Sequence, residues 1–349
     1  MNIGFDIAFK QSGSKDRGIG RYSQSLIDSI MNLNNEHQYY FFSPNYIRTK
    51  MDLKNRIQRF IAHYKIDFFL ITSPFDYSVP LEKEWFGDTR VGVIFYDTIP
   101  LIYPKVYLPS PVLTKGYQSI LDFIACCDIV YAISETTKQD AISYGGINPN
   151  IIKVVYGGLD SEFKVIEPNP IAKVAEKYKI AKPYLLYTGG SDFRKNIPRL
   201  IEAFSHANNE LNNHYELVIT GSVSQYTFSM SKMKNLIFTG YVSNEDLVEL
   251  YNGATLFVFL SLYEGLGLPV LEAMACGTPV LTSNTSSLEE IGRDVAYLVD
   301  PYNSDQIARG MVYLLSNPSI LDELKKRGLN HVKLFKWDEV GRKVLAEYN

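Results

Sequence analysis

Apolar runs and helical spacings alternate along the chain. Residues 2–7 form an apolar run that predicts a first strand. Ile19, Tyr22, Leu26, Ile27, Ile30 and Leu33 then recur at helical spacing. Runs at 38–42 and 67–72 predict further strands. Between them, residues 45–65 place Ile47, Met51, Ile57, Phe60, Ile61 and Tyr64 on one helical side. Strands are expected at 90–95, 128–133 and 151–155, with Ser134 capping a short helix. The pattern restarts at 183–190, with a helix from Ile197 and strands at 216–221, 236–239, 254–260 and 279–282. Helices are expected over 303–315, 319–334 and 336–348. Strands alternating with helices predict an α/β fold with parallel sheets.

A chain of 349 residues exceeds one compact core, so two domains are expected. Glu167-Pro-Asn-Pro170 reads as a stiff linker and puts the boundary near 165. The net charge of −3 gives no global pull toward nucleic acid. Three cysteines, Cys126, Cys127 and Cys276, suggest no disulfide framework and fit a cytoplasmic protein. No apolar run reaches the roughly 18 residues of a membrane span. The strand pattern begins directly after Met1, so no leader is expected. Charge does gather locally. Over 46–65, Arg48, Lys50, Lys54, Arg56, Arg59 and Lys65 face one acid, Asp52, a net of +5. Such a helix is either a solvated face or a surface for anionic lipid headgroups.

The chemistry concentrates in residues 261–279, SLYEGLGLPVLEAMACGTP. An apolar strand ends at Ser261. A turn with Gly265 and Gly267 follows, then a helix with Pro269 in its first turn. This arrangement places a ligand at the carboxyl edge of an open α/β sheet. Backbone amides at the helix start attract phosphate. The carboxylates of Glu264 and Glu272 suit hydroxyls, and one carboxylate can accept both hydroxyls of a vicinal diol. Phosphate, ribose and sugar hydroxyls together describe a nucleotide sugar. A second clue lies at Arg194 and Lys195. Two cations before a helix oppose its dipole, and a nearby anion would relieve them. They read as diphosphate ligands.

Glu264 and Glu272 within EGLGLPVLEAMACGTPV resemble the Glu-x7-Glu motif of retaining glycosyltransferases of family 4. The likeness runs along nearly the whole chain and favours a branch of bacterial mannosyl- and rhamnosyltransferases. It implies a GT-B fold: two Rossmann-like domains facing a central cleft. Residues 1–165 would bind the acceptor and 166–334 the donor, and a C-terminal helix, 335–349, would cross back to the first domain. In the family the first Glu, here Glu264, contacts the donor sugar. The second, Glu272, holds the ribose, and Gly265, Leu266, Gly267 and Leu268 approach the diphosphate and sugar.

The resemblance extends to other segments. GIGRY resembles the family's glycine loop, so Gly18, Gly20 and Arg21 are expected near the donor phosphate or acceptor. Tyr96-Asp97-Thr98-Ile99-Pro100 resembles a His-Asp-x-Ile-Pro segment, with Tyr96 in place of His. Tyr96, Asp97 and Ser134 would line the acceptor side. Gly189 and Gly190 precede Arg194 and Lys195, and Gly190 stands where many members carry Arg. Gly240, Tyr241 and Val242 resemble a segment that touches the base.

The implied reaction moves a hexose or 6-deoxyhexose, mannose or rhamnose favoured, to a glycan or lipid-linked glycan in cell-surface polysaccharide synthesis. The donor would be a GDP-, dTDP- or UDP-sugar. Asp97, Glu264, Arg194 and Lys195 would act at the reaction centre. The five histidines match no metal spacing and no Asp-x-Asp occurs, so neither metal nor cofactor is expected. The implied location is cytoplasmic, with peripheral contact on the inner membrane face through the basic stretch. Two alternatives stand beside this reading: a GT-B nucleotide-sugar epimerase, and a non-catalytic paralogue that only binds a sugar nucleotide or a partner.

Overall fold

The computed structural model describes residues 1–15, 18–33, 36–44, 47, 49–167, 171–222 and 235–347. The expected linker residues 168–170 and Arg48 of the basic stretch lie outside them. The chain forms two compact units: Met1–Gly158 with Phe335–Asn349, and Leu159–Leu334. The first unit therefore ends before the boundary expected near 165, and the C-terminal segment belongs with it.

Among the described residues, each unit carries one six-stranded parallel sheet. In the first, β1 (Asn2–Asp6), β2 (Gln38–Phe42), β3 (Phe68–Ile71), β4 (Arg90–Phe95), β5 (Ile129–Ala132) and β6 (Ile152–Val154) run in the order 2-1-3-4-5-6. The strands Phe68–Ile71 and Ile129–Ala132 are buried at every position. A sheet covered on both faces requires such continuous apolar strands. Phe42, Phe69, Trp85, Phe86, Leu121 and Phe123 build the core on one face. The helix Gly18–Leu33 buries Tyr22, Leu26, Ile27 and Ile30. Beside it lies the C-terminal helix Trp337–Ala346, where Ser29 Oγ donates to the Trp337 carbonyl at 2.8 Å.

In the second unit, β7 (Tyr184–Thr188), β8 (Glu216–Thr220), β9 (Leu236–Gly240), β10 (Leu256–Phe259), β11 (Val280–Ser283) and β12 (Tyr297–Val299) run in the order 9-8-7-10-11-12. Counted from β7 as the first strand, this is the doubly wound order 3-2-1-4-5-6. Its direction reverses between β7 and β10. In the first sheet the reversal lies between β1 and β3. Ligands of open α/β sheets bind outside the carboxyl ends of strands at such reversals.

Several elements go beyond the sequence reading. The helices Pro111–Ala125, Ile171–Tyr178 and Asn244–Gly253 and the short strand β12 were not among the expected elements. The expected helix 45–65 is described as Lys50–Tyr64, with Thr49 capping it by accepting from the Asp52 amide at 3.1 Å. The first strand stops at Asp6, and a 3-10 turn, Ala8–Gln11, follows.

Candidate functional site

The reversal in the second sheet brings two loops together. After β7 the chain makes a 3-10 turn, Phe193–Lys195, and enters the helix Ile197–Glu210. After β10 it reaches Glu264. Asn196 pins the two: it is left-handed, 5% exposed, and its side-chain amide donates to the Leu260 carbonyl at 3.1 Å and the Pro301 carbonyl at 2.7 Å. The Leu262 amide donates to the Arg194 carbonyl at 2.7 Å.

Across this seam Glu264 meets both cations. Arg194 Nη1 donates to Glu264 Oε2 at 2.7 Å and Lys195 Nζ to Oε1 at 2.6 Å. Arg194 Nη1 also reaches the Tyr263 carbonyl at 3.1 Å, and Lys195 Nζ lies 4.9 Å from the centre of the Phe259 ring. Burial would raise the Glu264 pKa, but the two cations and their hydrogen bonds outweigh it and hold it at about 2. Burial also lowers the pKa of Lys195, helped by Arg194 and opposed by Glu264. The anion that relieves the Arg194 and Lys195 charges is thus Glu264 itself. Two part-buried cations thus meet one buried carboxylate, and Asp192 Oδ1 lies 3.5 Å from Arg194 Nε.

The loop that carries Glu264 is tied down on its other side. The Glu264 amide donates to Ser286 Oγ at 3.1 Å, and Ser287 Oγ donates to the Glu264 carbonyl at 2.8 Å. Gly265, Leu266 and Gly267 are buried, and the helix Leu268–Ala275 starts at Gly267. Gly267 has φ +98°, and a Cβ there would stand 2.6 Å from Leu288 Cδ2. Only glycine fits both the dihedral and the space. Glu272 lies inside that helix, 2% exposed, and accepts from the Tyr251 hydroxyl at 3.1 Å. Its partner is thus distinct from those of Glu264. Gly189, Gly190 and Gly240 sit at the carboxyl ends of β7 and β9. Beyond Gly240, Tyr241 is 76% exposed and Val242 half-buried.

The expected residues of the first unit divide. Asp97 follows β4, and its Oδ1 accepts from the Ile99 amide at 3.0 Å, capping a helical turn. Gly18 and the half-buried Arg21 open the helix Gly18–Leu33. Gly20 serves packing: a Cβ there would stand 2.3 Å from the Ser14 carbonyl oxygen. Two more of the expected residues are buried. Tyr96 shares a hydrogen bond with Ser23 Oγ at 2.8 Å and donates to the Thr72 carbonyl at 2.9 Å. Ser134 is also fully buried, and its Oγ accepts from the Thr137 amide at 3.0 Å as a helix cap.

At the reversal of the first sheet lies a group that the sequence did not single out. Asp6 ends β1 and is fully buried. Its Oδ1 accepts from the Ala8 amide and the Tyr77 hydroxyl, both at 2.8 Å. Its Oδ2 has no hydrogen-bond partner among the described residues. Burial pushes its pKa up to about 7, against the pull of these donors and of the Ser73 amide. Asp76, which accepts from Ser14 Oγ at 2.7 Å, adds to the rise. A lone Asp at a strand end carries no sequence signal for such burial. Among the described residues no three His, Cys, Asp or Glu side chains gather as a metal site would require.

The family profile described as Glycosyl transferases group 1 matches residues 171–331. The second unit is a group 1 glycosyl transferase domain. Over 288 residues the chain is 32% identical to the serotype-specific mannosyltransferase WbdA of Escherichia coli, covering 78% of this chain and 35% of that protein. The chain thus spans about a third of the length of that relative. It is 28% identical to O-antigen chain mannosyltransferase B of Escherichia coli, over 74% of this chain and 70% of the relative. Its fold matches Anabaena HepE, solved with UDP-glucose, at a TM-score of 0.78 and 15% identity over 99% of both chains. By domain and by fold the chain is a GT-B glycosyltransferase that resembles bacterial mannosyltransferases.

Proposed function

We propose that this glycosyltransferase moves mannose from a nucleoside-diphosphate sugar to a glycan acceptor in O-antigen-type polysaccharide synthesis. The observation that carries the reading is the Glu264–Arg194–Lys195 cluster at the reversal of the second sheet. Its two cations, gathered at that edge, suit a diphosphate. The likeness to two mannosyltransferases supports the sugar, and the UDP-glucose complex of HepE supports a nucleotide-sugar donor.

In this reading Lys195 and Arg194 hold the diphosphate oxygens, and the amides after Glu264 add hydrogen bonds to developing negative charge. Glu264, already ionised, accepts from donor-sugar hydroxyls, and Glu272 accepts from the ribose. Asp97 is assigned to the donor sugar. The acceptor oxygen bonds to the anomeric carbon on the face that the leaving group vacates. The bond to the diphosphate oxygen breaks, and that oxygen takes the acceptor proton. Configuration is retained and the protein supplies the positive charge that a metal would otherwise bring. The chain works in the cytoplasm, and the basic helix Lys50–Tyr64 brings it to anionic lipid at the inner membrane face.

A thermal-shift panel of GDP-, UDP- and dTDP-sugars tests the donor. The matching nucleotide at about 100 times its dissociation constant stabilises by about 2.7 kcal/mol. The same affinity should fall in Glu272→Gln by about 1.5–3 kcal/mol, the worth of a hydrogen bond to a charged group. Transfer of mannose should then survive excess EDTA. No stabilisation by any of the three nucleotide classes would overturn the reading.

A further inference from the structure

The second unit has a cavity of about 500 Å³ that the transfer chemistry does not use. Lys182, Asn213 and Asn235 line it, and each lies just before a strand: β7, β8 and β9. The cavity is therefore at the amino edge of the parallel sheet. The Glu264 cluster follows the carboxyl ends of β7 and β10, so the two sites occupy opposite edges.

The lining has a distinct chemistry. Its floor is apolar, from Ile201, Phe204 and Leu236. Its walls are amides and a hydroxyl: Asn209, Asn213, Asn235 and Ser205. Lys182 Nζ donates to the Asn213 carbonyl at 2.9 Å and to Asn235 Oδ1 at 2.7 Å. Asn235 Nδ2 in turn reaches Asn213 Oδ1 at 3.3 Å. Among the described residues no carboxylate pairs with Lys182, so oxygens of amides fix the ammonium. Asn213 and Asn235 both hold left-handed backbones, φ +56° and +65°. Such conformations are sparsely populated, and asparagine tolerates them best after glycine. The amide wall is thus held in place by its backbone and by Lys182.

A wall of carboxamides offers donors and acceptors side by side, as vicinal hydroxyls require. An apolar floor suits the C–H face of a pyranose ring. The volume is within the range of about 300–1,000 Å³ typical of ligand sites. Asn208 and Asn209 lie in the last turn of the helix Ile197–Glu210, so its negative end faces this region. That polarity disfavours phosphate and leaves neutral hydroxylated ligands.

We propose that this cavity is a second carbohydrate subsite, which holds a neutral, non-reacting stretch of glycan on the donor-binding unit, remote from the transfer site. It rests on the proposed glycan transfer only for the choice of mannose as the sugar. A growing polysaccharide held there stays with the enzyme while its reacting end is released and rebound.

The test observes binding without activity. α-Mannobiose is added to about 10 mM, tenfold above a millimolar dissociation constant, while the side-chain amide signals of Asn209, Asn213 and Asn235 are followed by NMR. The expected result is a saturable shift of these signals in the wild type and equally in Glu264→Gln. Ser205→Trp, which fills the cavity, should abolish it. Asn209→Leu, at an exposed position, should weaken binding about tenfold, the loss of one or two hydrogen bonds. The wild-type shift alone, in a protein that fails to transfer mannose, would support the subsite and overturn the donor reading instead. No shift at 10 mM, or the same shift in a folded Ser205→Trp, overturns the subsite. So does an equal shift with GDP.

Discussion

Glu264 and Asp6 are both buried carboxylates, and their surroundings push them in opposite directions. Glu264 is held at about 2, below its ordinary 4.5, because two cations outweigh burial. A lowered folded pKa gives stability that is present above 4.5 and lost as pH falls toward 2. Glu264→Gln should therefore cost about 3–5 kcal/mol at pH 7, since Arg194 and Lys195 lose a buried partner. In urea titrations the gap between wild type and variant should narrow toward pH 3. A constant gap would show that the loss is one of packing. Asp6 has the reverse sign. Its pKa is raised from 3.8 to about 7, so the folded state keeps a proton that the unfolded chain releases. Stability contributed by its neutral form falls as pH rises through that window, by up to about 1.4 kcal/mol per unit. Asp6→Asn keeps an acceptor for the Ala8 amide and the Tyr77 hydroxyl but cannot ionise. The melting temperature of wild type should therefore drop relative to Asp6→Asn between pH 5 and pH 8, and parallel curves would refute the burial cost. Glu264, Arg194 and Lys195 were legible because spacing and charge mark them in the chain itself. Asp6, Asn196 and the inward turn of Tyr96 were not. Their meaning comes from what other strands bring next to them.

The helix Lys50–Tyr64 shows how an element can be read correctly and its faces assigned only by packing. Its apolar side was visible as a spacing. The structure spends that side on the sheet: Leu53 and Ile57 are buried, and Phe60 stacks edge-on with Phe42 and Phe69. Ile61 also packs on the core, which leaves Met51, 61% exposed, as a projecting apolar side chain. The cations are partly paired, Lys50 with Glu82 and Arg56 with Asp52. Contact with a membrane through this helix must then be mainly electrostatic, worth up to about 1 kcal/mol per charge and screened by salt. Co-sedimentation with liposomes should rise with anionic lipid, fall at high salt, and drop in Lys54→Glu with Arg59→Glu. Binding that ignores charge would remove the helix from the membrane reading. Elements missed in the sequence have weak patterns for physical reasons. Pro111–Ala125 starts with exposed Val112 and Leu113 and contains Gly116, which blurs its apolar stripe. The strand Tyr297–Val299 has three residues, too few for a period to register.

At the scale of the molecule, the first unit is completed by residues far along the chain. Trp337 packs edge-on against Tyr22 at 5.0 Å between ring centres, and Tyr131 donates to the Val344 carbonyl at 3.3 Å. Val340 and Val344 are buried, and Lys153 pairs with Glu347 at 3.2 Å. The doubly wound pattern made two sheets legible from sequence, but no periodicity tells a terminal helix which sheet to join. Here the decision rests on close packing with Gly18–Leu33. A Cβ on Gly341 would stand 2.7 Å from Ser29 Oγ and 2.8 Å from Leu33 Cδ1. Gly341→Val should therefore push the two helices apart at an overpacking cost of about 1–3 kcal/mol. The loss belongs to the first unit, because Ser29 and Leu33 are there, and not to the group 1 domain. Calorimetric unfolding should show it as a lowered transition that nucleotide does not restore to the wild-type difference between units. Hydrogen exchange would locate it: faster exchange in Gly18–Leu33 and β1, with β7 and β10 unchanged. Equal acceleration in both sheets would mean that the units unfold as one body and that the helix serves the whole chain.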